Sequence, residues 1–108
     1  MLKSIRLLQH DFISPQQVDA FYQIFKREFA QFLKEKNCQK IEIKKGYFYL
    51  SGFFTTKNNQ IYYWNIGDLR MKFGQSFMFY REAKSYKDFE GGTNRFFTLE
   101  ALNEINIF

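Results

Sequence analysis

The sequence predicts an α+β domain in which one long amphipathic helix packs on an antiparallel meander of about four strands, followed by a short C-terminal helix. Residues 15–36 repeat apolar side chains with a helical period, and residues 40–81 then change to the alternating, ring-rich pattern of strands. The connections between these strands are of hairpin length, which favours antiparallel pairing. The chain has 108 residues, enough for one hydrophobic core, so we take 1–108 as a single domain.

The helix has the clearest local signals. Ser14 offers an N-cap hydroxyl, Pro15 occupies the first helical position, and Gln17 lies three residues after the cap. Asn37 is expected to end the helix. At the helical period, seven apolar residues fall within a stripe about 120° wide, which is typical of a helix with one buried face. They are Val18, Phe21, Tyr22, Phe25, Phe29, Phe32 and Leu33.

The strands are separated by turn-forming and polar residues. Gly46 predicts a turn or a bulge, and residues 57–60 predict a hairpin loop whose asparagines can adopt positive φ. Residues 83–94 form a polar connection, and residues 98–105 are predicted to be a short helix capped by Thr98. The long helix must bury its stripe, and one face of the sheet is the surface large enough to receive it. The predicted strands are 40–45, 47–55, 61–66 and 76–81.

Bulk composition excludes several classes of protein. Apolar residues make up 45% of the chain, with 15 Phe, 7 Tyr and 1 Trp, which excludes a disordered or fibrous chain. Cys38 is the only cysteine, so the sequence predicts neither an intramolecular disulfide nor a thiolate zinc site. The first residues carry charge without an apolar signal region, and no apolar run approaches the ~20 residues that span a bilayer. We therefore expect a cytoplasmic protein.

The residues that carry chemistry are sparse. His10 is the only histidine, and it has no second histidine or partner cysteine with which to anchor a usual zinc or iron site. The glycine pair at 91–92 lacks the lysine and the flanking elements of a phosphate-binding loop. We expect no catalytic residue, metal or cofactor, and no enzyme. A hydrolytic two-metal site would have to use four acids that are dispersed along the sequence, and their spacing does not indicate such a site. These acids are Asp68, Glu82, Asp88 and Glu90.

The net charge of +5 is concentrated in the middle of the chain. Residues 39–88 contain nine basic and four acidic side chains, whereas residues 89–108 contain one and three. A basic middle suits a polyanion or an acidic protein surface as partner. The alternative is that the charge only keeps an aromatic-rich domain soluble.

Strand alternation puts rings on both faces of the predicted sheet. The helix can cover one of these faces. The other, open face could stack bases and hold phosphates. It could equally be covered by the N-terminal arm and the C-terminal helix, or by another protein chain. On predicted strand 47–55, one face carries Phe48, Leu50 and Phe54 and the other carries Tyr47, Tyr49, Ser51 and Phe53. On predicted strand 61–66, one face carries Ile61 and Tyr63 and the other carries Tyr62, Trp64 and Ile66.

Three segments carry a family resemblance. GYFYLSGF at 46–53, IGDLR at 66–70 and YREAKSYKDFEGGTN at 80–94 together resemble a box seen in small uncharacterised proteins of phages and conjugative elements. The resemblance covers about half the chain, roughly residues 46–98. It implies a mobile-element origin and a protein that acts stoichiometrically on a host system, as anti-CRISPR proteins do. It implies no catalytic residue.

Together these observations predict a non-enzymatic phage or plasmid protein, an anti-CRISPR-like inhibitor of an RNA-guided nuclease and its guide RNA in a bacterial host. The alternative is a single-stranded nucleic-acid-binding protein of phage metabolism. Arginine is favoured at such surfaces because it makes planar, multidentate contacts. Arg70 and Arg81 could instead pair with nearby carboxylates and only fix the loops. The predicted partner-binding or nucleic-acid-binding residues are Lys44, Lys45, Tyr47, Tyr49, Arg70, Lys72, Arg81, Lys84, Lys87 and Arg95.

Overall fold

The computed structural model describes residues 15–67 and 77–108, which form one long helix packed on a five-stranded antiparallel sheet. The strands lie side by side in chain order, each antiparallel to the next. The predicted α+β class and the meander are therefore confirmed, with one more strand than expected. The elements are α1 (Pro15–Glu35), β1 (Lys44–Lys45), β2 (Leu50–Thr55), β3 (Ile61–Ile66), β4 (Phe77–Ala83), β5 (Arg95–Thr98) and a 3₁₀ helix (Leu99–Glu104).

Helix α1 ends where the sequence predicts. Asn37 adopts a positive φ of 65°, which an asparagine side chain tolerates better than most. The Cys38 N–H donates to the Leu33 carbonyl at 2.9 Å, and the Asn37 N–H donates to the Lys34 carbonyl at 2.9 Å. This pair of bonds is a Schellman cap, which satisfies carbonyls that the helix leaves without partners. The predicted cap Ser14 lies outside the described residues.

The core lies between α1 and the inner face of the sheet. Trp64 on β3 is fully buried, with its ring 6.0 Å from that of Phe25 and 5.0 Å from that of Phe29. The C-terminal segment closes the same side, since the Phe108 ring lies 5.6 Å from Phe32 and Leu102 is buried. One alternative drawn from the sequence had the C-terminal helix covering the opposite, open face, and these contacts exclude it. The apolar residues of this helix extend the core that α1 already forms.

The first hairpin differs from its prediction at both strands. Only Lys44–Lys45 forms a strand in the segment predicted as 40–45, and β2 begins at Leu50 rather than at residue 47. Between them, the Gly46 N–H donates to the Tyr49 carbonyl at 2.8 Å and closes a turn at residues 46–49. Tyr47 and Tyr49 therefore lie in this β1–β2 turn and not on a strand.

Strand β5 was missed because only four residues separate the glycine turn from the 3₁₀ helix. It pairs with β4 through Tyr80↔Arg95 and Phe77↔Thr98. The predicted C-terminal helix is a 3₁₀ helix, and the Thr98 side chain makes no capping hydrogen bond to it. The expected Thr98 cap is therefore wrong. The hairpin loop at 57–60 has the predicted positive φ, at Asn59.

Replacing Gly52 by alanine is expected to lower the free energy of unfolding by about 2–3 kcal/mol, because the core cannot absorb the added methyl group. A Cβ at Gly52 would lie 1.8 Å from the Glu42 carbonyl oxygen and 3.2 Å from the Trp64 indole nitrogen. Gly67→Ala is the matched control, since no atom of the described residues lies within 4 Å of its Cβ position. Urea unfolding followed by Trp64 fluorescence measures both. Equal stability of the two variants would contradict this account of the close approach of Gly52 to the Glu42 carbonyl.

Cys38 is expected to resist alkylation in the folded protein. Burial raises the pKa of its thiol from 9.0 to about 11, which favours the protonated form. At pH 8 the reactive thiolate is therefore about a hundredfold scarcer than in the unfolded chain. Iodoacetamide labelling, with and without denaturant, measures the difference. The folded state also loses stability as pH rises from 9 through 11, because ionisation then favours the unfolded chain. Labelling at the unfolded rate would contradict this burial.

Candidate partner-binding surfaces

The sheet face turned away from α1, here called the outer face, carries a continuous row of aromatic rings. Strand register aligns Phe53 with Tyr63 and Phe79 with Phe96. Ring centroids are 5.0 Å apart for Phe53 and Tyr63, 6.0 Å for Tyr63 and Phe79, and 5.4 Å for Phe79 and Phe96. Arg81 of β4 lies beside Tyr63 on the same face. The row therefore crosses β2 to β5, and the predicted faces of β2 and β3 are confirmed from Leu50 onward.

Residues 84–94, here called the cover loop, fold over the β2–β3 end of this row. The Tyr86 ring lies 5.3 Å from Phe53, and the Phe89 ring lies 5.5 Å from Phe53 and 5.9 Å from Tyr63. Phe53 is fully buried as a result. The chain thus covers part of its own outer face with the connection between β4 and β5. The N-terminal arm, one of the covers that the sequence left open, lies outside the described residues.

Arg81 fixes the cover loop from beneath. Its guanidinium lies 4.7 Å from the Tyr63 ring centroid, and Nη1 donates to the Gly91 carbonyl at 2.6 Å. The residue is only 5% exposed, so little of it is available to a partner. The structure places the predicted contact residue Arg81 inside the domain, where it joins the loop to the sheet. Its partner is a carbonyl group, whereas the sequence suggested a carboxylate.

Two further groups hold the cover loop. The carboxylate of Asp88 accepts the backbone N–H groups of Lys84, Gly91 and Glu90 at 2.9, 2.9 and 3.2 Å, and these bonds lower its pKa. The Tyr86 hydroxyl donates to the Lys40 carbonyl at 2.7 Å and lies 2.8 Å from Thr55 Oγ1. Burial is the main cause that raises the pKa of Tyr86. These hydrogen bonds fix the conformation of the cover loop.

Two large rings of this surface remain exposed, one on the cover loop and one at the β5 end of the aromatic row. Phe89 on the cover loop is 64% exposed and Phe96 on β5 is 68% exposed. Both rings contact the row beneath them, which holds them in place. The cover loop has no net formal charge, since Lys84 and Lys87 balance Asp88 and Glu90. This surface is aromatic at its centre and carries both signs of charge at its border.

The β1–β2 turn is a second, separate surface. Tyr47 and Tyr49 are exposed there, directly after the exposed strand Lys44–Lys45. Lys45 forms an ion pair with Asp19 of α1, and Lys44 Nζ lies 3.7 Å from Glu42 Oε1. The turn therefore combines two tyrosine rings with two lysines at the β1 edge of the sheet.

The structure divides the predicted site residues into groups that do not meet. Strands β1 and β5 are opposite edges of the sheet, about 19 Å apart at the usual strand spacing. Lys44, Lys45, Tyr47 and Tyr49 lie at one edge, exposed Arg95 lies at the other, and exposed Lys84 and Lys87 lie on the cover loop. Arg70 and Lys72 lie outside the described residues.

Sequence reasoning did not select Phe79, Phe89 or Phe96 as site residues. The alternation within residues 76–81 places Phe79 on the outer face, and two rings within a polar connection, Tyr86 and Phe89, were the available signal. In residues 15–67 and 77–108, no three His, Cys, Asp or Glu side chains gather as a metal would require. Within the same residues, the structure has no helix long and apolar enough to cross a membrane.

Arg81→Ala is expected to lower the free energy of unfolding by about 2 kcal/mol, because it removes a buried charged hydrogen bond and a cation–π contact. For a domain of this size, the thermal midpoint then falls by roughly 8–10 °C. Arg95→Ala removes an exposed arginine from β5. It is expected to shift the thermal midpoint by no more than about 2 °C, which corresponds to about 0.5 kcal/mol in the free energy of unfolding. Differential scanning fluorimetry of both variants measures this. Equal midpoints would show that Arg81 does not hold the cover loop.

No protein-family model, curated protein or solved structure matches this chain. The resemblance to phage and conjugative-element proteins therefore stays a prediction. The outer face and the β1–β2 turn are the two surfaces from which a function can be inferred.

Proposed function

We propose that this chain is a non-enzymatic binding protein that attaches to another protein through the exposed rings of its outer face. The observation that carries the proposal is the pair Phe89 and Phe96, two large rings exposed at 64% and 68% on a packed aromatic row. Aromatic side chains are enriched in protein interfaces and supply much of their binding energy. Scattered exposed rings are ordinary, but rings joined by a continuous row suit an interface core.

The electrostatics of this surface favour a protein partner. The cover loop carries two lysines and two acids, so a phosphate backbone would meet repulsion as well as attraction along it. A protein interface commonly has an apolar centre and a polar border of both signs. The stacking positions at the β2–β3 end of the row are also occupied, because Tyr86 and Phe89 lie against Phe53 and Phe89 also lies against Tyr63.

The anchoring of the rings supports tight binding. Phe89 belongs to a loop that is held by the Arg81–Gly91 hydrogen bond and by three backbone bonds to Asp88. Phe96 belongs to a strand that is paired with β4. A surface that is ordered before binding loses little conformational entropy when a partner arrives.

The partner that we propose is an RNA-guided nuclease, which the chain inhibits stoichiometrically in the cytoplasm of a bacterial host. This choice follows from the resemblance of residues 46–98 to mobile-element proteins and from the absence of a predicted catalytic constellation in the sequence. The alternative, a nucleic-acid-binding protein of phage metabolism, predicts binding without any protein effector.

Co-expression with candidate nucleases tests the proposal, with phage plating as the readout. The wild-type chain is expected to restore plating with one effector type and to co-purify with it. Phe89→Ala and Phe96→Ala are each expected to weaken the complex by about 2 kcal/mol, roughly 30-fold, with thermal midpoints nearly unchanged. Lys34→Ala, an exposed change on α1, is the control and is expected to retain affinity.

Two outcomes would contradict different parts of this proposal. If no effector is inhibited or co-purified, the chain is not an inhibitor of RNA-guided nucleases. If a complex forms and neither ring deletion weakens it, the outer face is not the interface. Isothermal titration with the purified effector separates a weaker complex from a lower yield of folded protein.

A further inference from the structure

We propose that the β1–β2 turn is a contact site for single-stranded nucleic acid, at which Tyr47 and Tyr49 stack on bases and Lys44 and Lys45 bind phosphates. The site lies at the β1 edge, apart from the exposed rings of the outer face. It goes beyond the proposed protein partner and does not depend on it.

The turn presents its two tyrosines outward for a structural reason. Phe48, between them, packs against the hydrophobic core and anchors the turn. Tyr47 is 82% exposed and Tyr49 is 46% exposed, so each ring has a free surface. An exposed ring on a turn offers its π-face to any base, and base stacking of this kind tolerates different nucleotide sequences.

The ring of Tyr49 is held in place before any ligand arrives. A Cβ at Gly46 would lie only 2.1 Å from Tyr49 Cε1 and 2.4 Å from Cζ, so the ring lies directly against the glycine backbone. The hydrogen bond from the Gly46 N–H to the Tyr49 carbonyl closes the turn around it. A side chain at residue 46 would have to displace this ring, and the 46% exposure of Tyr49 leaves part of the ring open to a base.

The cations beside the turn are available to phosphate. The Lys44 side chain is 71% exposed, and its contact with Glu42 is a loose 3.7 Å. Lys45 pairs with Asp19, which is itself half-exposed. Exposed ion pairs contribute little stability, about 0–1 kcal/mol, so a phosphate can replace either carboxylate at small cost.

The charge around the turn distinguishes it from the cover loop. Around the turn, Lys44, Lys45 and Lys26 of α1 accompany the carboxylates of Glu42 and Asp19, a balance of +1, whereas the cover loop has no net charge. Lys26 lies 5.5 Å from the Tyr22 ring, and Lys45 lies 5.8 Å from the same ring. Cations interleaved with exposed tyrosines are the combination that single-strand binders use.

Fluorescence anisotropy with labelled 12-nucleotide oligo-U and oligo-dT, at low and moderate salt, tests the site. Binding is expected to weaken with salt, with a slope of log K against log salt near −1.4 for two phosphates. Tyr47→Ala and Tyr49→Ala are each expected to lower affinity roughly 5- to 150-fold, and Tyr47→Phe is expected to retain it. Lys44→Ala reduces the slope by about 0.7.

The controls are matched ring deletions on the other surface. Phe89→Ala and Phe96→Ala remove rings of similar exposure and are expected to leave oligonucleotide affinity within twofold. Trp64 fluorescence reports whether each variant is folded, and Tyr47, the most exposed of the four rings, can be changed without touching the core. Absence of binding at low salt, or binding unchanged in Tyr47→Ala and Tyr49→Ala, would overturn the proposal. Either result leaves the protein-partner experiment unaffected, since that experiment reads Phe89 and Phe96.

Discussion

The packing of the α1 aromatic stripe on Trp64 is the interaction on which the rest of the structure depends. Phe25 and Phe29 both contact the Trp64 ring, and that contact decides which face of β3 is buried beneath the helix. In an antiparallel sheet, paired residues share a face, so this one choice sends Phe53 and Tyr63 to the opposite side. The outer aromatic row is therefore a consequence of how the core is built.

An aromatic row on the second face needs its own cover, and the chain supplies it from the β4–β5 connection. This cover depends on a buried cation, because the Arg81 guanidinium lies under the cover loop and contacts the Tyr63 ring and the Gly91 carbonyl. A buried guanidinium without such partners would be costly. The cover extends only over Phe53 and Tyr63, which leaves Phe96 exposed at the β5 end of the row and Phe89 exposed on the cover loop itself.

The parts of the fold that were predictable are those fixed by local periodicity. The length of α1, its end at Asn37, the strand 61–66 and the faces of β2 and β3 each follow from spacing within a few residues. A turn or bulge at Gly46 was predicted, but its extent to Tyr49, which delays the start of β2 to Leu50, was not, because it depends on the Tyr49 ring packing against Gly46. Strand β5 was missed because it is short and gains its pairing only from β4.

The candidate site shows why closeness in sequence is a poor guide to closeness in space. The basic residues of the middle segment look like one patch, yet the meander carries Lys44 and Lys45 to one edge and Arg95 to the other, and it buries Arg81. What remains is two smaller surfaces of different chemistry, one aromatic with balanced charge and one combining tyrosine with lysine. A protein that contacts a nuclease and its guide RNA together would require such a division, because an apolar interface and a phosphate contact favour opposite environments.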